Sequence, residues 1–200
     1  DQERAQNLVQ EIVGAIEAGM QFEITEKLEG SSMTCYLIDG EFGVCSRNLD
    51  LRETEGNTFW YVARRDNIQA KMKIETDEYE DFAIQGELIG PGIQGNIYKL
   101  SKPEFRVFDM YNIALGAFVT PKARCRYVEQ LGLLHVPVLA SAAELHDTFD
   151  ITDIPHLLKF AEGKSVMGMI GLEREGIVFK EENGGMSFKA ISNAYLLGEK

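Results

Sequence analysis

Lys27 is the residue whose neighbours say most about chemistry. It comes right after the strand-like run Gln21-Phe22-Glu23-Ile24-Thr25 and stands three positions before Gly30. A strand end followed by a tight turn can direct an amine into open space, which is what a covalent lysine nucleophile requires. An ordinary lysine titrates near ~10.4, so at pH 7 about one molecule in a few thousand carries the reactive, uncharged amine. Bringing that value to ~7 takes roughly 4–5 kcal/mol from nearby cations, a metal or burial. A Lys-x-x-Gly alone is equally compatible with a solvated turn, so the rest of the chain has to supply the helpers.

The elements that must position them are legible from periodicity. Residues 2–19 place Leu8, Ile12, Val13 and Ile16 on one helical face, with Gly19 as the stop. From 21 to 48 alternation takes over, and Asp39-Gly40 between two apolar runs marks a hairpin. Residues 57–73 read as a helix, 82–90 as a strand, Gly90-Pro91-Gly92 as a turn, and 102–113 as a strand. Helices follow at 123–131 and 153–161, with Pro155 in a first turn. A second hairpin pairs 176–180 with 186–191 around Asn183-Gly184-Gly185. Helices and strands mix without regular βαβ alternation, which predicts an α+β fold with antiparallel sheets in one domain over 1–200.

Composition narrows the function classes. The 200 residues, 44% apolar, can bury a sizeable core. No run of ~18 apolar residues is present, so no membrane partner is expected. No signal peptide is visible, and Cys35, Cys45 and Cys125 form no Cys-x-x-Cys. This pattern predicts neither a zinc site nor a disulfide framework, and an intracellular location, cytoplasmic or nuclear. Cys35 and Cys45 are expected to pack rather than react. His135, His146 and His156 make no close pair either. The formal charge of −12 argues against a general polyanion-binding face. Acid concentrates in Glu75–Asp81, and base in Arg64-Arg65 with Lys71 and Lys73 and in Lys122-Ala123-Arg124-Cys125-Arg126. The basic clusters are either solvated faces or the borders of a local phosphate track.

Five further segments follow Glu26-Lys27-Leu28-Glu29-Gly30 in order. They are Cys45-Ser46-Arg47-Asn48, Gly86-Glu87-Leu88-Ile89-Gly90-Pro91-Gly92-Ile93-Gln94, Phe105-Arg106-Val107-Phe108-Asp109, Arg174-Glu175-Gly176-Ile177-Val178-Phe179-Lys180, and Ser187-Phe188-Lys189-Ala190-Ile191-Ser192. From about residue 20 to 192 this series resembles the covalent nucleotidyltransferase superfamily. Within it the chain is most similar to ATP-dependent RNA ligases of the second bacteriophage, kinetoplastid editing and Deinococcus/Naegleria types. The resemblance implies an adenylation domain with antiparallel sheets flanked by helices around an ATP cleft. Lys27 would take AMP from ATP as a phosphoramidate, pass it to an RNA 5′-phosphate, and a 3′-hydroxyl would displace it. The expected partners are RNA ends at a nicked or gapped duplex. A DNA ligase or a guanylylating capping enzyme shares the same lysine chemistry, and a non-catalytic nucleotide- or RNA-binding module would share the fold.

The resemblance also assigns roles. Lys27, Glu175 and Lys189 are the expected catalytic residues. Glu26, Leu28, Arg47, Glu87, Phe108 and Lys180 are expected around the nucleotide. Arg47 would fork onto a phosphate or ribose-side oxygen, or else make a surface ion pair. Glu87 would bind ribose hydroxyls or a metal-bound water, or else end a strand. Phe108 would stack on adenine, or else be plain core. Glu175 and Glu29 are the expected ligands of Mg²⁺ or Mn²⁺, suited to a cation that takes a few carboxylates, waters and phosphates. Lys180 and Lys189 would contact phosphate, or else alternate outward from a strand. Strand alternation adds a geometric expectation. If Glu175 opens the strand, Lys189 shares its face only across an odd-length loop or a bulge. Two departures stand out. Ile191 occupies a place where many relatives have lysine, and Glu29 one where phage and editing enzymes have histidine. No OB-like or other accessory domain is expected within this chain, and one that contacts nucleic acid would lie beyond it.

Overall fold

The computed structural model describes residues 2–74, 81–168 and 171–198. Along the chain the strands are β1 (Glu3–Arg4), β2 (Gln21–Lys27), β3 (Ser31–Ile38), β4 (Glu41–Ser46), β5 (Phe82–Ile89), β6 (Glu104–Asn112), β7 (Ala117–Phe118), β8 (Leu134–His135), β9 (Val138–Glu144), β10 (Gly176–Glu181) and β11 (Ser187–Ile191). The helices are α1 (Val9–Glu17), α2 (Thr58–Arg65), α3 (Ile68–Ile74), α4 (Pro121–Gln130), α5 (Leu145–Phe149), α6 (Ile154–Ala161) and α7 (Asn193–Leu196). The fold is α+β with mainly antiparallel sheets. The sequence reading took 1–200 as one domain, and the backbone gathers into two compact units, 1–28 with 137–200 and 29–136.

The first unit is built on a five-stranded sheet ordered β1-β11-β10-β2-β9. Strand β2 explains its polarity. Phe22 and Ile24 are fully buried in a core with Ile177, Phe179, Phe188 and Ala190. The period of two therefore sends Glu23, Thr25 and Lys27 to the other face. Phe179 stacks on Phe188 at 4.7 Å, and Phe22 meets Phe188 edge-on at 5.8 Å. Helix α6 starts as the sequence predicts, with Asp153 accepting the His156 N–H at 2.9 Å and Pro155 in its first turn. The opening of the chain departs from expectation. The helix over 2–19 shrinks to α1, because Glu3 and Arg4 pair in parallel with Phe188 and Lys189.

The second unit holds a six-stranded sheet ordered β4-β3-β5-β6-β7, with β8 added alongside β6. The β3–β4 hairpin turns at Asp39 (φ 50°) and Gly40 (φ 77°), both left-handed, as a two-residue turn demands. The helix expected over 57–73 is broken into α2 and α3 at Asn67, whose φ is 57°. Asn57 caps α2 by accepting the N–H groups of Phe59 at 3.0 Å and Trp60 at 3.2 Å.

Several residues of the basic clusters are tied to neighbours in the fold. Arg64 forks onto Glu53 at 2.7 and 2.6 Å, Arg65 pairs with Asp66 at 2.7 Å, and Lys71 donates to the Gly132 carbonyl at 2.9 Å. Arg124 is neither a solvated face nor a phosphate track. It is fully buried, 3.8 Å from the Asp109 carboxylate. Residues 75–80 of the acidic cluster lie outside the described residues. Cys35 is buried and its thiol is pushed up by that burial, while burial and the neighbouring Asp50 push the Cys45 thiol up to about 11. Cys35 packs in the core as expected, while Cys45 is only half-buried.

Candidate active site

In the first unit the end of β2 delivers Lys27 to the face opposite the apolar core. Its Nζ lies 2.7 Å from Glu175 Oε1, with the two side chains 25% and 14% exposed. Screening by water is thus reduced but not abolished. The strand register decides what else shares this face. Lys27 pairs with Gly176, Thr25 with Val178 and Glu23 with Lys180 across β2–β10. Gly176 pairs with Ile191, Val178 with Lys189 and Lys180 with Ser187 across β10–β11. Directly opposite residues share a face, so Lys27, Lys180 and Lys189 lie on one side of the sheet. Thr25 and Lys180 on that side are both buried.

The expectation of an odd-length loop is overturned. Lys189 opposes Val178, and the Glu181 N–H closes the turn on the Met186 carbonyl at 2.8 Å, leaving a regular even-length connection. The error lay in giving Glu175 a strand position. Strand β10 starts one residue later, at Gly176, and Glu175 is bound through its carbonyl to the Ser192 N–H at 2.9 Å. Outside the pleat, its carboxylate is free of strict alternation and reaches Lys27. Gly176 is required where it stands. A Cβ there would lie 2.2 Å from the Ala190 carbonyl oxygen. Ile191 opposes this glycine and is buried.

Glu26 and Leu28 flank the lysine but do not share its setting. Leu28 is buried at 2% exposure. Glu26 points to the opposite face of β2 from Lys27 and is 1% exposed. Its carboxylate accepts the Ser165 hydroxyl and, at 2.9 Å, the Val166 N–H. Burial raises its pKa above the usual carboxylate range, against the hydrogen bonds and the positive charge of Arg174. The Glu26 side chain is thus turned away from Lys27 and fully engaged by the protein.

In the second unit Gly30 lets the chain run close across β5. A Cβ there would sit 2.4 Å from the Leu88 carbonyl oxygen and 2.8 Å from Glu87 Cγ. The glycine of Lys-x-x-Gly thus has a steric reason. Glu29, half-buried beside it, gives its N–H to the Tyr98 hydroxyl at 2.8 Å. Glu87 stands on β5 between Ser32 and Arg106, on the sheet face away from buried Leu88 and Phe105. Arg47 is exposed in the short turn after β4, where the Ser46 N–H reaches the Leu49 carbonyl at 2.9 Å.

Phe108 is not plain core. Gln85 pairs with Asp109 and Gly86 with Val107, so Phe108 is the extra residue of a β-bulge and remains half-exposed. Such bulges re-aim a side chain. The next residue, Asp109, is anchored beneath by Arg124. The Arg124 Nε donates to His135 Nε2 at 3.1 Å, which leaves His135 Nδ1 as the donor to the Val136 carbonyl at 2.6 Å. Sequence reading missed Tyr98 and Ser165, and the roles of Arg106, Arg124 and Arg174. Only the positions of Arg106 and Arg174, inside the quoted motifs, carried a local signal.

The RNA ligase family model matches residues 20–191. The chain belongs to the RNA ligase family. No curated protein matches it. Among solved structures, a mutant of Naegleria gruberi RNA ligase with ATP and Mn is 41% identical with a TM-score of 0.87, over 99% of this chain and 57% of that one. A mutant of the same ligase with AMP and Mn is 42% identical with a TM-score of 0.86, over 99% and 56%. The form with PPi is 42% identical with a TM-score of 0.85, over 99% and 56%. The chain thus spans little more than half the length of these RNA ligases.

Proposed function

We propose that this chain is the adenylating part of an ATP-dependent RNA ligase. The observation that carries the proposal is the Lys27–Glu175 pair at 2.7 Å, with Lys180 and Lys189 on the same sheet face. Lys27 Nζ attacks the α-phosphorus of ATP. An N–P bond forms, the P–O bond to pyrophosphate breaks, and the amine proton leaves. The lysyl-AMP then gives its AMP to an RNA 5′-phosphate, and a 3′-hydroxyl completes the joint with release of AMP. The solved RNA ligases similar to this chain, which hold ATP with Mn, AMP with Mn, or PPi, fit that sequence of states.

Each residue has a task that follows from its charge. Lys180 and Lys189 offset the negative charge of the phosphates. Lys27 must shed a proton before it attacks. Glu175, an oxygen donor only partly exposed, would suit Mg²⁺ or Mn²⁺. A divalent ion held there would supply charge neutralisation at the phosphates. Arg47 contacts a phosphate or ribose oxygen, Glu87 the ribose, and Phe108 the adenine face.

The RNA partner is inferred to be a nicked or gapped duplex with 5′-phosphate and 3′-hydroxyl ends. Free thiols at Cys35, Cys45 and Cys125 fit a reducing, intracellular site of action. Incubation with radiolabelled ATP or GTP, followed by a chase with nicked RNA or nicked DNA, tests the reading. Label from ATP, discharged by RNA, is expected. Label from GTP alone would move the chain to capping chemistry, and discharge by DNA alone to DNA joining.

A further inference from the structure

Glu26 stands one residue before Lys27, yet its carboxylate is buried on the other face of the sheet at 1% exposure. An apolar side chain would occupy that place at lower cost, because a buried charge is tolerated only when it is well partnered. The partners all come from one turn. Ser165 Oγ donates to one carboxylate oxygen and accepts the Met167 N–H at 2.9 Å, while the Val166 N–H donates to the other oxygen at 2.9 Å.

That turn belongs to an arm with limbs 163–168 and 171–174. Its limbs run antiparallel, with the Ser165 N–H on the Leu172 carbonyl at 2.8 Å and the Arg174 N–H on the Gly163 carbonyl at 3.0 Å. Lys164 and Glu173 are ion-paired across it. The returning limb ends at Arg174, whose guanidinium donates to the carbonyls of Phe160 at 2.6 Å, Ala161 at 2.9 Å and Glu162 at 2.8 Å, at the end of α6. The residue after Arg174 is Glu175, which holds Lys27. A closed circuit results: Lys27, its neighbour Glu26, the Ser165 turn, the arm, Arg174, Glu175, and Lys27 again.

We propose that Glu26 and Ser165 are positioning residues, which fix the arm so that the Glu175 carboxylate meets the Lys27 amine. The inference rests on Lys27 being the nucleophile. Neither residue touches ATP through its side chain. They act through Glu175, so losing the Ser165 hydroxyl lowers the rate of AMP attachment and leaves ATP binding intact. Ser165→Ala removes the donor from a half-buried turn without opening the core. Ser165→Thr keeps it.

The test is single-turnover AMP attachment to the chain across ATP concentrations, with the melting temperature of each variant recorded. Ser165→Ala is expected to slow attachment at saturating ATP about tenfold or more, with half-saturation unchanged within about threefold. Ser165→Thr is expected to recover most of the rate, and both variants to melt within a few degrees of the parent. A Ser165→Ala chain that reacts at the parental rate overturns the proposal. So does a loss seen only as weaker half-saturation, or one that threonine fails to rescue. A parent chain that takes up no AMP removes the lysine reading and this inference with it. A parent that reacts beside an unaffected Ser165→Ala removes the inference alone.

Discussion

A carboxylate 2.7 Å from an amine makes Glu175 the residue on which Lys27 depends most directly. Glu175→Gln keeps the shape and removes the charge that can hold a divalent ion. AMP attachment is expected to fall about 10²-fold, read as the single-turnover rate at saturating ATP and Mg²⁺. The parental rate in that variant would contradict the role given to the carboxylate. Cys45 is expected to be inert for a different reason. Its thiol is pushed up to about 11 by burial and Asp50. Only the thiolate alkylates, so labelling at Cys45 should keep rising with pH from 8 to 10, whereas an ordinary thiol levels off above about 8.5. Peptide mapping after timed iodoacetamide treatment checks this, and a plateau near pH 9 would refute it.

At the scale of elements, close backbone approach sets two further expectations. Gly176→Ala places a methyl 2.2 Å from the Ala190 carbonyl oxygen, between the strand that follows Glu175 and the strand that carries Lys189. The strands must part, and a loss of about 1–3 kcal/mol is expected from urea denaturation. Arg124 joins α4 to the bulge of β6 through buried Asp109. Arg124→Met leaves that carboxylate without its cation in the interior, and about 3–5 kcal/mol should be lost in the same measurement. An unchanged denaturation midpoint in either variant would refute the corresponding packing.

Elements with strong local signals were legible. The Asp39-Gly40 turn requires two left-handed residues and has a matching pair. The β10–β11 hairpin was legible too, though not the position of Glu175 within it, since a one-residue shift in a strand start reverses an alternation argument. Strand β9 went unseen because Val138-Leu139-Ala140-Ser141-Ala142-Ala143 is mostly small residues of weak strand preference. Only its pairing with β2 makes it a strand. Strand β1 is two residues long and is defined by a partner far along the chain. The bond from Ser165 to Glu26 spans 139 positions and has no local signature at either end.

For the whole molecule, the six motifs resolve into two sets on two sheets. Lys27, Glu175, Lys180 and Lys189 belong to the first unit, and Glu29, Arg47, Glu87 and Phe108 to the second. Order along the chain made the family legible, while the register in each sheet supplies physical reasons for the motif residues. The net charge of −12 is compatible with local phosphate chemistry because lysines gather on one sheet face despite the global excess of acid. The central claim is that Lys27 becomes covalently nucleotidylated, and intact-mass spectrometry after incubation with ATP and Mg²⁺ tests it most directly. The chain is expected to gain the mass of one AMP, mapped to the Lys27 peptide. Both Lys27→Ala and Lys27→Arg are expected to gain none, since guanidinium keeps its proton and offers no lone pair. An unshifted parent mass, or an AMP retained by the Lys27→Arg chain, would contradict the account.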